Sequence, residues 1–227
     1  MYLVTGGSGF IGSNLIKAIN SNGADVLLCD YIECFDSRDY LTNSEVYDII
    51  EPRLLISSLD KIANKIDAVL HLGANSSTIE TNGNLIWKQN ILSSMRIWDW
   101  CSRNNTRMIY ASSAATYGNG QNGFDDFNSL NHLQSLKPLN LYGWTKSEID
   151  IRIKYSELFN KFYPPQWVGL KFFNVYGPNE YHKGPMVSVV CKAIKDILLK
   201  KPMTLFKSHN ENYCDGEQMR DFIYVDD

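Results

Sequence analysis

No two of the five cysteines stand in a CxxC pair, and an odd number cannot close into a complete disulfide set. Cys29, Cys34, Cys101, Cys191 and Cys214 are scattered, which excludes a disulfide-stapled scaffold and predicts free thiols in a reducing cytoplasm. The four histidines show no metal-ligand spacing, so no metal site is expected. Net charge is -3, without the basic excess of a general nucleic-acid binder. No apolar run is long enough to span a bilayer, which argues against a membrane partner. The N-terminus opens directly on a core strand and leaves no room for a signal peptide. Internal repeats and low-complexity tracts are missing as well.

What the 227 residues do contain is 44% apolar and 21% charged side chains, an ordinary globular balance able to bury a sizeable core. The length suits one substantial domain, or a domain plus a fragment. Strands are expected over 2–4, 24–29, 66–72, 107–111, 168–173, 203–206 and 221–225. Helices are expected over 10–20, 85–103, 140–162 and 186–200. Residues 31–51 and 119–137 read as loops, the first with at most short helices, and 207–219 as a mobile polar excursion. Strands alternating with helices predict an α/β protein with a doubly wound parallel sheet.

Between the first strand and the first helix runs Val4-Thr5-Gly6-Gly7-Ser8-Gly9-Phe10-Ile11-Gly12. Gly6 suits a tight turn, Gly9 a close backbone approach, and Gly12 helix-on-strand packing. A diphosphate would sit on the N–H groups and positive dipole end of that helix. A lone glycine repeat is weak evidence. Strand, glycines and helix in this order, with Asp30 ending the next strand, predict a Rossmann-type dinucleotide site. A carboxylate at Asp30 grips the adenosine ribose hydroxyls and favours NAD over NADP; as an alternative it is a strand-end turn residue. Small polar residues follow the 66–72 strand, Gly73-Ala74-Asn75-Ser76-Ser77-Thr78, at the carboxyl end where a cofactor lies in such sheets. His71, inside that strand, reads as a satisfied core histidine, and Trp98 and Met95 as helix packing.

Tyr142-Gly143-Trp144-Thr145-Lys146 sets a phenol and an ammonium at i and i+4, on one helix face. A free tyrosine titrates near 10. Using it as a base near pH 7 means lowering that value by roughly three, about 4 kcal/mol of phenolate stabilisation. A lysine ammonium close by, with a cationic nicotinamide, is an adequate source. The spacing alone arises often by chance; its force comes from the upstream strand ending in two serines. Ser113 is placed to hydrogen-bond the same substrate oxygen while a carbinol is oxidised.

Together the glycine pattern, Ser113 and the Tyr142/Lys146 pair resemble an extended short-chain dehydrogenase/reductase of the nucleotide-sugar branch. Further stretches narrow this: Ser76-Ser77-Thr78, residues 111–118 and 137–143, Phe173-Asn174-Val175-Tyr176-Gly177-Pro178, His182-Lys183-Gly184 and Arg220-Asp221-Phe222. These are similar to the ADP-L-glycero-D-manno-heptose 6-epimerases of lipopolysaccharide core synthesis, essentially from end to end. The resemblance implies a cytoplasmic isomerase that binds NADP and inverts the sixth carbon of an ADP-heptose through a transient ketone, and that self-associates. It implies Ser113, Tyr142 and Lys146 as catalytic, with a second acid/base at Lys183. Cofactor contacts fall on Gly6, Gly9, Phe10, Ile11, Gly12, Asp30, Tyr31, Gly73, Ala74, Asn75, Asn90, Lys146 and Val175. Substrate contacts fall on Ser76, Ser113, Asn174, Lys192 and Arg220. On its own, Lys183 reads as a solvated loop charge and Arg220 as an ion-pair partner for Asp221.

The sequence also departs from that pattern. The lysine expected after the strand-two acid is not evident. Whether Arg38 or Arg53 replaces it is undetermined, which leaves NAD open beside NADP. Pro185 stands in place of a small polar substrate contact and Lys192 in place of a histidine, and the excursion around Cys214 is long. The chain ends at Asp226-Asp227, where the resembled enzymes continue, so residues 1–175 are expected to bind the dinucleotide and 176–227 to form an incomplete substrate-binding lobe. Two alternatives stay open: another nucleotide-sugar epimerase or dehydratase acting on a hexose, and a dinucleotide-binding module without turnover.

Overall fold

The structure, a computed structural model, describes every residue except 37–40, 42–43, 209–210 and 212. Its contacts divide into two units, Met1–Phe172 and Phe173–Asp227.

In the first unit six parallel strands form one sheet: β1 (Tyr2–Thr5), β2 (Val26–Cys29), β3 (Asp48–Ile50), β4 (Ala68–His71), β5 (Arg107–Ser113) and β6 (Trp167–Phe172). Their order is β3-β2-β1-β4-β5-β6, the doubly wound arrangement expected. β2 is buried at every position because helices cover both faces of such a sheet, which is why Val-Leu-Leu-Cys carries no polar residue. On one face α5 (Ser93–Arg103) and α7 (Leu141–Tyr155) pack Ile97, Trp98, Cys101, Ile149 and Ile153 against Leu3, Val69 and Met108. On the other, α1 (Phe10–Ser21) brings Ile16 onto Val4, Val26 and Leu28. Each such apolar side chain contributes about 1.5–3 kcal/mol on full burial.

Short α-helices among the described residues of this unit include α2 (Ile32–Asp36), α3 (Leu55–Leu59), α4 (Gly83–Ile86) and α6 (Leu130–Ser135). Between α4 and α5 the chain widens into a π-helical turn, Trp87–Leu92, so the single helix expected there carries a bulge. β3 falls inside a stretch expected to be loop. With three residues, of which only Ile49 and Ile50 are apolar, it is too short to leave a periodic signal. The expected loop 119–137 likewise contains α6, capped by Ser129, whose Oγ accepts from the His132 N–H at 3.2 Å.

The second unit pairs β7 (Asn174–Tyr176) with β8 (Phe222–Tyr224) in parallel and adds α8 (Val189–Leu198). The strand expected over 203–206 does not form. Met203, Leu205 and Phe206 keep half or more of their surface exposed, and no described strand lies alongside to take their backbone bonds.

Candidate active site

The β1–α1 turn is built to bring backbone close to a ligand. Gly6 adopts a positive φ of 68°, and a Cβ on Gly12 would lie 2.3 Å from the Gly6 carbonyl oxygen. Among the described residues no side-chain cap bond closes α1 and no acid stands in its first turn, which leaves its positive end facing the glycine turn. Asp30 sits just beyond β2 and is fastened to the same turn: its Oδ2 accepts from the Ser8 N–H and its Oδ1 from the Tyr31 N–H, both at 2.9 Å. These groups fit the diphosphate and ribose of a dinucleotide, and Phe10, Ile11 and half-exposed Tyr31 flank them. Arg53 is paired with Glu51 at 2.8 Å, and Arg38 lies outside the described residues.

Where β4 ends, Gly73 N–H donates to Thr5 Oγ1 at 3.0 Å. His71 is buried, with Nδ1 2.7 Å from Thr5 Oγ1 and Nε2 2.8 Å from Ser94 Oγ, and burial pushes it down to about 3. It is a neutral, doubly bonded core histidine. Ala74 and exposed Ser76 continue the loop, and Asn75 is held by Asn90. Asn90 Oδ1 accepts from Asn75 N–H at 2.7 Å. Its Nδ2 donates to the Asn75 carbonyl and to Thr145 Oγ1, each at 3.0 Å. Asn90 is completely buried, so its amide ties the loop after β4 to α7 from within the π turn.

Helix α7 starts at Asn140, whose side chain accepts from Gly143 N–H at 2.8 Å, and so places Tyr142 in its first turn. Burial raises the Tyr142 phenol, and Ser113, at the end of β5, is near enough to Tyr142 to lower it. The Lys146 ammonium lies 5.9 Å from the Tyr142 ring centroid and donates to the Ala111 carbonyl at 2.7 Å. Burial pushes Lys146 down to about 8 while Asp150 holds it up, so it stays protonated at neutral pH. Asp150, Lys171 and Thr145 were not anticipated from sequence. The one available signal was Asp150 standing four residues after Lys146 on the same helix.

In the second unit, Lys183 lies in the 3₁₀ turn Tyr181–Met186, its N–H donating to the Glu180 carbonyl at 3.1 Å. Burial lowers Lys183, and Glu180 and Cys191 oppose that. Glu180 is buried and accepts from Ser188 N–H at 2.6 Å and Ser188 Oγ at 2.7 Å, which anchors the turn to the start of α8. Lys192 is exposed on α8. Asn174 Nδ2 donates to the Asp221 carbonyl at 2.9 Å, and Val175 follows it on β7. Exposed Arg220 donates to the Met219 carbonyl at 2.7 Å and pairs with no carboxylate among the described residues.

Residues 2–227 match the NAD dependent epimerase/dehydratase family. The chain belongs to that family. Membership makes it an enzyme of the epimerase group that works with a nicotinamide dinucleotide. It is 42% identical to the ADP-L-glycero-D-manno-heptose-6-epimerase of Fusobacterium nucleatum, a match covering 100% of this chain and 68% of that protein. The enzyme of the same name from Nitratidesulfovibrio vulgaris is 40% identical and 69% covered. Among solved structures, Helicobacter pylori ADP-L-glycero-D-manno-heptose-6-epimerase superposes with a TM-score of 0.74 at 28% identity, covering 99% of this chain and 69% of that one. MoeE5 in complex with UDP-glucuronic acid and NAD gives 0.72 at 26%, covering 99% and 68%. The family resemblance is thereby borne out.

Proposed function

We propose that this chain is an ADP-heptose 6-epimerase, converting ADP-D-glycero-D-manno-heptose to its L-glycero epimer in the cytoplasm for lipopolysaccharide core synthesis. The observation that carries this reading is the match, at 42% identity over the whole of this chain and 68% of the relative, to a protein of that name. Residues 1–175 are assigned to dinucleotide binding and 176–227 to substrate binding. The glycine turn, Phe10, Ile11, Asp30, Tyr31, Gly73, Ala74, Asn75 and Val175 hold the dinucleotide, and Asn90 orders that wall. Bound there, the nicotinamide supplies a reversible hydride acceptor. Ser113 and Tyr142 hold the oxygen of the carbon being inverted, and Tyr142 takes its proton. Lys146 keeps the resulting phenolate neutralised. Inversion needs proton traffic on a second face, the role assigned to Lys183. Asn174, Ser76, Lys192 and Arg220 are assigned to the sugar nucleotide.

The resemblance implies NADP. Asp30 would repel a 2′-phosphate and Arg53 is already engaged by Glu51, which favours NAD. Titrating both dinucleotides decides, and a tenfold preference for NADP would overturn the argument from Asp30. Self-association is assigned to the outer face of α4, the π turn and α7, where Leu85, Trp87, Leu92, Trp144 and Tyr155 remain exposed, with Phe159 just beyond α7.

The deciding experiment incubates the purified chain with ADP-D-glycero-D-manno-heptose and separates the epimers by chromatography. Conversion is expected, with Lys183→Ala abolishing it while dinucleotide stays bound. Absence of conversion with bound nicotinamide rejects the reading. Conversion of a UDP-hexose, indifferent to Lys183→Ala, would support the hexose alternative.

A further inference from the structure

Lys146 and Asp150 stand four apart on α7, the spacing at which a lysine and a carboxylate face each other along a helix. Left alone, the two would pair and draw the ammonium along the helix away from Tyr142. That pair does not form. Asp150 is buried and its carboxylate is filled from other elements. Oδ1 accepts from the Tyr110 hydroxyl at 3.0 Å, and Oδ2 accepts from Ser112 Oγ and from the Lys171 ammonium, each at 2.7 Å. Lys171 arrives from β6, also donates to Thr116 Oγ1 at 2.8 Å, and lies 5.2 Å from the Tyr117 ring centroid. Lys146 meanwhile donates to the Ala111 carbonyl.

We infer that Lys171 is a positioning residue: by occupying Asp150 from β6, it withholds that carboxylate from Lys146 and leaves the Lys146 charge to Tyr142. The inference rests on reading Tyr142 and Lys146 as the reacting pair. A carboxylate in contact with Lys146 would cancel much of the field at the phenol. Losing the carboxylate entirely is no remedy, since Asp150 at a distance is what opposes the burial of Lys146. The arrangement keeps Asp150 near enough to hold the ammonium charged and too occupied to capture it. Lys146 is faced by Tyr142 and Asp150 on its own helix and by His71 from β4. Asp150 is faced by Tyr110 from β5, by Lys171 from β6 and by Tyr117.

The test labels the lysines of the full chain with ¹³C at Cε, assigns Lys146 by Lys146→Arg, and titrates its signal by NMR. With Lys171→Gln, Asp150 turns to Lys146 and the titration moves up by about one pH unit, the size of effect an opposite charge in contact produces. Lys171→Arg keeps the ion pair and leaves the titration at its native position. The double variant Lys171→Gln/Asp150→Asn brings it below the native position. An unmoved or lowered Lys146 in Lys171→Gln overturns the inference. Should Lys171→Gln fail to fold, the double variant leaves no charge unpaired, and an unmoved Lys146 there overturns it equally. The readout needs neither substrate nor turnover, so its failure is distinct from failure of the epimerase reading.

Discussion

Tyr142 is caught between opposing forces: burial raises its phenol above the ordinary value, and Ser113 opposes that only in part. Tyr142→Phe removes the proton acceptor and leaves the dinucleotide cradle intact. We expect turnover to fall by about 10²–10⁴-fold with dinucleotide affinity within a few-fold of native, checked by epimer assay beside fluorescence titration. His71 predicts an acid sensitivity of a different kind. Its folded value of about 3 lies below the ordinary 6.5, so between those limits the unfolded chain binds a proton that the folded one refuses. Stability therefore rises with pH across that window and is lost as pH falls through it. Going from pH 6.5 to 5 costs about 1.6 kcal/mol through this one ring, the slope approaching about 1.36 kcal/mol per pH unit only below 6.5. Urea denaturation of native protein and His71→Asn at the two pH values should show a shallower pH dependence in the variant.

Elements whose reasons are local could be read from sequence, and elements whose reasons are distant could not. The glycine turn announces itself because Gly12 in α1 must touch Gly6 six positions earlier, where a Cβ on Gly12 would meet the Gly6 carbonyl oxygen at 2.3 Å. Gly12→Ala is expected to weaken dinucleotide binding by tenfold or more, about 1.4 kcal/mol. Isothermal titration checks it. The Tyr142/Lys146 pair was equally visible, since one helix sets both. By contrast, the π turn at Trp87–Leu92 exists to aim Asn90 at Asn75 and Thr145, the latter 55 positions along the chain, and no window on that helix reveals the partners. Asn90→Ala would strand the Asn75 amide and the Thr145 hydroxyl, costing about 2–3 kcal/mol in a denaturant melt. Lys171 and Asp150 escaped notice for the same reason, because their meeting depends on β6 lying beside β5. The strand expected over 203–206 failed in the opposite sense: apolar residues were present, a partner strand among the described residues was not.

At the scale of the molecule, alternation of strands and helices was enough to give a doubly wound sheet, although β3 at its edge went unseen. The exposed aromatic face is the other whole-molecule feature. Trp87 and Trp144 lie 6.0 Å apart with Arg152 over the first ring, an apolar patch with a cationic rim. If that face joins two copies, Trp144→Glu should shift the sedimentation coefficient to that of a single chain while leaving the dinucleotide site filled. Six strands running one way also give the sheet two unlike rims. Asp30, Asn75 and Ser113 all leave from the carboxyl rim, whereas the turns at Gly23 and Asn105 lie at the amino rim, exposed and in positive-φ conformations. The chemistry has a front and a back. A dye or short epitope grafted at Gly23 or Asn105 sits at the back, where it can report on this protein without touching the dinucleotide or the reacting pair.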